Sequence, residues 1–301
     1  MRFADYIGHR SIDVHCDSEN MPGREKFKSV AWGVEEAATL SAIKQQFAQH
    51  AAKRERFFLS YMPVAPHMPY DTPAEEFRKF PSGYETVTRN YSGRYKNQLL
   101  YIDWVLASMM EELATLNLLD DTLVIITNDH GELIGEENGT LGHGWLVRPD
   151  LCNTPLIVMP PGRMTAATNY TLGSQVDILP TVLDLLHIPI PADSLYQGNS
   201  MYDPNTTNKT IYLTSHEQRG MIHGNRYFVE ERPQSGGRGG PATVFEISHT
   251  ETKSNYRPLN LSTNITARMD DFEKFQTSFI LHYSSYRDHI RTKAYAGLPL
   301  K

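Results

Sequence analysis

The residues best suited to chemistry follow a short run of apolar and β-branched residues. The segment 122–127, TLVIIT, is typical of a strand covered on both faces, and Asn128-Asp129-His130-Gly131 comes directly after it. Open α/β sheets bind their ligands beyond the carboxyl ends of the strands. A carboxylate and an imidazole at that point can approach one divalent cation together, and the glycine lets the chain turn. The pattern predicts a metal site at Asp129 and His130; the alternative is a strand-end turn with a capping aspartate and a surface histidine.

Two other histidines lie in segments with unusual backbone composition. His143 is flanked by Gly142 and Gly144, which let the backbone approach a ligand closely, so its imidazole could contact an anion or protonate a leaving group. His67 lies in the segment 66–70, PHMPY, where two prolines restrict the backbone and would present the imidazole from a stiff loop. The alternatives are a flexible loop around His143 and a purely structural turn around His67. Further acidic residues follow the Asp129-His130 pair: Glu132, Glu136 and Glu137.

The elements that would position these residues alternate between strands and helices. The apolar segments 57–62 (FFLSYM) and 156–159 (LIVM) are predicted strands. An amphipathic helix is predicted over 96–117 and a second over 175–187. The apolar stripe of the first helix consists of Leu99, Ile102, Val105, Leu106, Met109, Leu113 and Leu116. This alternation favours a parallel sheet with helices on both sides.

The pattern changes after about residue 205. The segment 210–214 predicts a short strand, and 221–231 predicts a hairpin around Gly224-Asn225, a pair suited to a tight turn. Another strand is predicted at 243–247, after a loop at 238–241, and an amphipathic helix at 271–292. These elements indicate a small antiparallel subdomain followed by a terminal helix.

Composition excludes some classes of protein. With 301 residues, of which 40% are hydrophobic, the chain can bury a sizeable core, and its 29 basic and 35 acidic residues include no basic cluster of the kind that binds nucleic acid. No apolar run reaches the roughly 18 residues of a membrane span, and the first residues lack a signal-peptide core. Cys16 and Cys152 are expected to be two buried thiols, and the alternative is a disulfide between them. The N-x-S/T sites, which suggest glycosylation or arise by chance, are Asn90, Asn138, Asn169, Asn205, Asn208, Asn260 and Asn264.

Taken in order, several segments resemble the sulfatase family of the alkaline phosphatase superfamily, in particular its sulfatase-like and lipoteichoic-acid-synthase-like branch. The resemblance covers roughly residues 30 to 250, and its most specific part is NDHGE with a glycine-flanked histidine about a dozen residues later. The matching segments are AWGVEEA (31–37), FFLSYMPVAPHMPY (57–70), YKNQLLYIDWVLASMMEEL (95–113), DDTLVIITNDHGELIGEENGTLGHG (120–144), TPLIVMPPG (154–162), SQVDILPTVLDLLHIPIP (174–191) and GNRYFVEE (224–231).

The resemblance implies an alkaline-phosphatase-like α/β fold, with a mixed sheet flanked by helices and a small C-terminal antiparallel subdomain. We expect a catalytic α/β domain over 1–205, the antiparallel subdomain over 206–265 and a C-terminal helix over 266–301. We also expect the fold to be incomplete at its N-terminus, because the family's nucleophile segment precedes every segment matched here.

The resemblance also implies the chemistry. Asp129 and His130 would be metal ligands, His67 would lie by the anionic group of the ester, and His143 would touch the substrate. The metal would be Ca²⁺ or Mn²⁺, with Zn²⁺ less favoured, and the partner would be an anionic ester such as a sulfated glycan, an aryl sulfate or a phospholipid-type molecule. The family implies a location outside the cytoplasm; membrane attachment would come only from an upstream segment.

One departure from the family bears on activity. The family's nucleophile is a Cys or Ser in C/S-x-P-x-R, oxidised to formylglycine, or a Thr in the synthase branch, and this sequence contains no C/S-x-P-x-R. We expect the chain alone to be inactive and the parent protein to hydrolyse sulfate esters. Two alternatives stay open: phosphoryl transfer or phosphodiester hydrolysis on the same scaffold, and a non-catalytic binding protein.

Overall fold

The computed structural model describes most of the chain and divides it into two compact units. Unit 1 comprises Met1–Ile126, Glu132–Gly142 and Leu156–Thr165, and unit 2 comprises Thr127–Gly131, His143–Pro155 and Ala166–Lys301. The described residues are 12–71, 74–81, 91–135, 140–162, 165–190, 198–203, 209–231, 242–249 and 254–258. The predicted helix at 271–292 and the predicted loop at 238–241 lie outside them, and the expected domain limits at 205 and 265 stay predictions.

Two helices form the core of unit 1. Helix α1 is Glu36–Lys53 and helix α2 is Tyr91–Thr115. Their apolar faces meet at Ile43, Phe47 and Leu113, all nearly inaccessible to solvent. Helix α1 ends at Arg54, whose left-handed backbone (φ 56°) stops the helix. Sequence analysis missed α1, whose apolar residues include alanines that give a weak helical stripe.

Helix α2 confirms the predicted amphipathic helix but not every residue of its stripe. Val105 and Leu113 are buried, as predicted. Leu99, in contrast, is 43% exposed, and Tyr101 is buried in its place. The ring of Tyr101 packs on Phe77, with 5.0 Å between the ring centroids, so an aromatic contact with a neighbouring segment sets the buried face.

The strands of unit 1 form small sheets. Strand β1 (Ser29–Val30) pairs with β2 (Gly33–Val34), β3 (Val124–Thr127) with β6 (Leu156–Met159), and β4 (Leu133–Ile134) with β5 (Leu141–Gly142). The predicted strands at 122–127 and 156–159 are therefore confirmed. The expectation that β3 is covered on both faces is wrong for the described residues, because its side chains are only partly buried and Thr127 is exposed.

The sequence predicts a strand at 57–62, yet this segment forms no strand. Phe57, Leu59 and Tyr61 pack against the core of α1 and α2, while Phe58 is 90% exposed. The side chains alternate as a strand requires, but a strand is defined by backbone pairing. Among the described residues this segment has no paired neighbour. Its side chains therefore alternate as in a strand, but its backbone makes no hydrogen-bonded pairing with another strand.

Glu36 anchors the segment 61–65 to the start of α1. Its carboxylate accepts hydrogen bonds from the Tyr61 hydroxyl and from the backbone N–H groups of Val64 (2.6 Å) and Ala65 (2.9 Å). Glu36 is 2% exposed. Burial raises the pKa of its carboxyl, and the three hydrogen bonds oppose that rise.

Replacing Glu36 with alanine is expected to lower the free energy of unfolding by roughly 2–4 kcal/mol, because it leaves one buried donor and two partly buried donors without an acceptor. The folded-state pKa of Glu36 lies above its unfolded value, so its contribution is largest at low pH and falls as the pH rises through the folded-state pKa. The loss measured by urea unfolding should therefore be larger at pH 5 than at pH 8. Glu25→Ala, at an exposed position, is the matched control and should change stability little. Equal losses for the two variants would contradict the anchoring role.

Unit 2 contains the predicted antiparallel sheet. Its strands are β7 (Thr210–Thr214), β8 (Gln218–His223), β9 (Arg226–Glu231), β10 (Ala242–His249) and β11 (Ser254–Pro258), in the spatial order β11-β10-β9-β8-β7. The β8–β9 hairpin turns at Gly224-Asn225, with Gly224 at φ 56° and His223 opposite Arg226. The turn and both strands confirm the prediction for this segment.

The described residues of unit 2 also include two short helices. Helix α3 is Pro149–Cys152, and helix α4 is Ile178–Leu185, preceded by a 3-10 turn at Gln175–Asp177. The turn begins at Ser174 with a capping box that Asp177 closes. The prediction of one helix over 175–187 is thus confirmed in position but shortened at its C-terminal end. No disulfide joins Cys16 and Cys152, as expected, but the expectation that both thiols are buried is wrong, because Cys16 is exposed and Cys152 is only partly buried. Within the described part of the chain, no helix combines the length and apolar character that crossing a membrane requires.

Candidate metal centre

The turn that follows β3 presents Asp129 and His130 from a firmly held backbone. The Gln175 side-chain amide donates to the carbonyls of Asn128 (3.0 Å) and Asp129 (2.7 Å). The N–H of Gly131 donates to the carbonyl of Leu151 at 2.8 Å. These bonds tie both ends of the turn to distant parts of unit 2. The side chains of Asp129 and His130 therefore project from a fixed frame.

The His130 ring has a defined tautomer because of its backbone partner. Its Nδ1 lies 2.8 Å from the carbonyl oxygen of Gly131, which can only accept, so Nδ1 carries the hydrogen. In the neutral ring Nε2 then keeps its lone pair. Metal-binding histidines are commonly oriented in this way, with the second ring nitrogen donating to a carbonyl.

The free donor atoms of Asp129 and His130 face each other. Asp129 uses Oδ1 to accept from the His130 N–H at 3.0 Å, which directs Oδ2 towards the ring. Oδ2 lies 3.5 Å from His130 Nε2. Two ligand atoms about 2.4 Å from one six-coordinate cation, at roughly 90° to each other, lie about 3.4 Å apart, so the observed separation is close to that of two ligands of one shared cation. The Asp129 side chain is 82% exposed, which leaves the position open to an ion from solvent.

His143 joins this pair in unit 2. Its ring stacks on that of His130, with 3.7 Å between the centroids and an interplanar angle of 29°. Gly142 and Gly144 have φ values of 88° and 90°, which glycine adopts readily and other residues rarely. The backbone on either side of His143 therefore adopts a conformation that suits glycine, and the close approach of this backbone to a ligand stays a prediction.

The loop that bears His143 is held by residues that sequence analysis did not single out. The N–H of His216 donates to the carbonyl of Gly144 at 2.7 Å, and the Ser215 hydroxyl donates to the carbonyl of Trp145 at 2.7 Å. The rings of Trp145 and His216 lie 5.5 Å apart. Like Gln175, Ser215 and His216 are far from His130 and His143 in sequence and have no motif of their own. No signal in a single sequence would have identified them.

His67 lies in unit 1, in a turn closed by two backbone hydrogen bonds. The His67 N–H donates to the Val64 carbonyl, and the Tyr70 N–H donates to the His67 carbonyl, both at 2.9 Å. The ring Nδ1 lies 2.7 Å from the Met68 carbonyl oxygen, which orients Nε2 away from the loop. The imidazole is exposed, as predicted for a stiff loop that presents it.

Of the three glutamates that follow His130, Glu132 is described and Glu136 and Glu137 lie outside the described residues. Within unit 1, Glu132 accepts a hydrogen bond from the buried Tyr70 hydroxyl at 2.9 Å. Burial raises the pKa of Tyr70 far above its usual range, and the hydrogen bond to Glu132 adds to this rise. The phenol therefore remains a donor at physiological pH. Glu132 is thus held as an ordered acceptor, one residue beyond Gly131 along the chain.

Solved structures share this fold. An alkaline phosphatase superfamily protein from Vibrio parahaemolyticus superimposes with a TM-score of 0.64 at 17% identity, over 90% of this chain and 59% of that one. The lipoteichoic acid synthase LtaP from Listeria monocytogenes superimposes with a TM-score of 0.62 at 17% identity, over 92% of this chain and 64% of that one. At these identities the similarity establishes the α/β fold of the alkaline phosphatase superfamily.

Sequence comparison adds the family. The chain is 29% identical over 151 residues to the uncharacterized sulfatase YdeN of Escherichia coli K12, which covers 48% of this chain and 26% of that protein. The chain thus matches about a quarter of the length of that relative. The family model described as Sulfatase matches residues 2–188, more than half of the sequence. The chain therefore belongs to the sulfatase family.

Proposed function

We propose that the protein to which this chain belongs hydrolyses sulfate esters with the help of a divalent cation held by Asp129 and His130. The observation that supports this most directly is the 3.5 Å separation of Asp129 Oδ2 and His130 Nε2, two free donor atoms that face each other. Oxygen and imidazole donors suit Mn²⁺, and Ca²⁺ would rely more on the carboxylate. A bound cation would supply positive charge to an ester oxygen.

The other proposed roles belong to the chain's histidines. His143, stacked on His130, is proposed to contact the substrate, and the stack limits the rotation of its ring. His67, whose ring is oriented by the Met68 carbonyl, is proposed to lie by the anionic group of the ester. Imidazoles can donate a hydrogen bond to an anionic oxygen or pass a proton to a leaving group. The substrate would be an anionic ester, and we expect the whole protein to act outside the cytoplasm.

The chain is proposed to be inactive on its own. It contains no C/S-x-P-x-R segment, from which the family's nucleophile would come. A cation and positioned histidines can stabilise charge and orient an ester, but they do not replace the covalent step of a nucleophile.

The test compares the 301-residue chain with the product of its reading frame extended upstream of Met1. Each is assayed with p-nitrophenyl sulfate and bis-p-nitrophenyl phosphate, with Mn²⁺ or Ca²⁺. We expect no turnover by the chain and hydrolysis of the sulfate ester by the extended product, abolished by EDTA and by His130→Ala. Arg226→Ala, at the exposed first residue of β9, is the matched control and should retain activity.

Other outcomes separate the alternatives. Turnover of the phosphodiester alone would favour phosphoryl chemistry on the same scaffold. Turnover by the 301-residue chain would show that the nucleophile lies within it. If the extended product is folded and inactive towards both esters, the chain belongs to a non-catalytic binding protein.

A further inference from the structure

The five-stranded sheet of unit 2 ends at strand β7. In the order β11-β10-β9-β8-β7, one edge of β7 pairs with β8, and among the described residues no strand pairs with its other edge. The strand is also open to solvent, since Tyr212 is 40% exposed and Thr214 is exposed as well. The outer edge of such a strand presents a row of backbone N–H and C=O groups with which another strand can pair.

The two edge strands of this sheet differ in composition. Proteins commonly protect an edge strand with a proline or a charged side chain, because either one hinders pairing with a further strand. Strand β11, at the opposite edge, ends with Arg257-Pro258. Strand β7 contains no proline and no charged residue. The lysine that precedes it, Lys209, has a side chain only 11% exposed and is paired with the buried carboxylate of Asp177, so its charge is not available to protect the edge.

The sequence of β7 reads almost the same in both directions, since its residues are Thr-Ile-Tyr-Leu-Thr. Two copies of the strand can be aligned antiparallel with Tyr212 facing Tyr212. In that register Ile211 of each copy faces Leu213 of the other. Thr210 of each copy likewise faces Thr214. Every side chain thus meets one of similar chemistry, and aromatic pairs and threonine pairs directly opposite each other stabilise antiparallel sheets.

This register is compatible with closed twofold symmetry. In a symmetric dimer both copies contribute the same surface, so each residue contacts its counterpart in both directions. A twofold axis perpendicular to the sheet, between the two Tyr212 residues, generates all the pairs at once and leaves each face of the sheet on its own side.

Other registers fit less well. Ile211 is 5% exposed and Tyr212 is 40% exposed, so the two faces of β7 differ. Because side chains alternate between the faces, a shift of one residue would place the buried face of one copy beside the exposed face of the other. A shift of two residues keeps the faces matched, but it pairs Tyr212 with Thr210 and leaves Leu213 and Thr214 beyond the paired part of β7.

We propose that two copies of this chain associate through their β7 strands, antiparallel and with Tyr212 beside the twofold axis, so that the two sheets of unit 2 become one continuous sheet. This inference goes beyond the proposed function and does not depend on it. A single pair of short strands buries less than the roughly 1,200–2,000 Å² of stable interfaces, so we expect a weak dimer with a Kd on the order of 10–100 µM.

Sedimentation velocity of the 301-residue chain, at concentrations that bracket this Kd, measures the association. Tyr212→Lys and Tyr212→Glu should each weaken dimerisation at least about 10-fold, because like charges would then face each other across the axis. An equimolar mixture of these two variants should dimerise again, since unlike charges meet. Tyr212→Phe, which keeps the aromatic pair, is the matched control and should dimerise like the wild type.

A disulfide experiment tests the register itself, in a chain with Cys16→Ser and Cys152→Ser. Opposite residues of an antiparallel pair have Cα atoms about 4.5–5.5 Å apart, within the reach of a disulfide, so Tyr212→Cys should form a covalent dimer on mild oxidation. Thr214→Cys is the matched control. Its two thiols would be offset by four residues, about 14 Å along the strands, and should not crosslink.

The proposal is overturned if the wild-type chain stays monomeric over this range, or if Tyr212→Lys associates as strongly as the wild type, which would place the contact elsewhere. It is also overturned if Thr214→Cys crosslinks as readily as Tyr212→Cys. The crosslinking result decides the matter even if Tyr212→Lys fails to fold, because it does not require a charge on the strand.

Discussion

Replacing Asp129 with alanine is expected to weaken the binding of Mn²⁺ to the chain by at least about 100-fold. Loss of a group that only orients a metal ligand typically costs 10- to 100-fold in affinity, so loss of the charged ligand itself should reach at least the upper end of that range. A 100-fold loss corresponds to about 2.8 kcal/mol. The measurement is titration calorimetry with Mn²⁺ at pH 7, repeated with Ca²⁺.

The fold should not confound this result. The Asp129 side chain is 82% exposed, and Gln175 holds the turn through backbone carbonyls that the substitution leaves in place. The near-ultraviolet circular dichroism and melting temperature of Asp129→Ala should therefore match those of the wild type. Asp103→Ala, an exposed aspartate on α2, is the matched control and should bind Mn²⁺ normally. An unchanged affinity of Asp129→Ala for Mn²⁺ would show that Asp129 is not a metal ligand. That result would also contradict the proposed function, which needs a cation at the turn after β3.

Sequence reasoning succeeded where the information is local. The strands at 156–159 and 210–214 and the turn at Gly224-Asn225 match the structure, because a short apolar run or a turn dipeptide determines its own conformation. The Asp129-His130 pair is likewise adjacent in the chain. Its donor atoms lie 3.5 Å apart within a single turn, and its role as a metal site stays a prediction.

It failed where an element depends on a distant partner. The segment 57–62 alternates like a strand, yet pairing cannot be inferred from its own residues. Leu99 belongs to the predicted stripe of α2, but the contact of Tyr101 with Phe77 determines which face is buried. The hydrogen bonds from Gln175 to the Asn128 and Asp129 carbonyls span more than forty residues, and the local sequence around Gln175 does not predict them.

The same limit applies to the buried ion pair of unit 2, which the sequence did not indicate. Asp177 is fully buried, and its carboxylate accepts from the backbone N–H groups of Ser174 (2.7 Å) and Asn199 (3.0 Å) and pairs with the Lys209 ammonium. The Lys209 side chain is only 11% exposed. One carboxylate thus joins the start of α4, the segment at 198–203 and the residue that precedes β7.

Replacing Asp177 with alanine is expected to lower the free energy of unfolding by about 3–5 kcal/mol, because a buried ammonium and two backbone donors lose their partner together. Such a loss is a large part of the 5–15 kcal/mol that typically stabilises a folded protein, so Asp177→Ala should be mostly unfolded well below the wild-type melting temperature.

Adding Lys209→Met removes the unpaired charge and should recover part of the loss, whereas Asp184→Ala, an exposed carboxylate on α4, should cost no more than about 1 kcal/mol. Urea unfolding of the four proteins decides the matter: equal midpoints for Asp177→Ala and Asp184→Ala, or no recovery in the double variant, would show that the pair does not stabilise unit 2. Since Gln175 lies in the 3-10 turn that Asp177 closes, loss of this ion pair should also loosen the frame that holds Asp129 and His130.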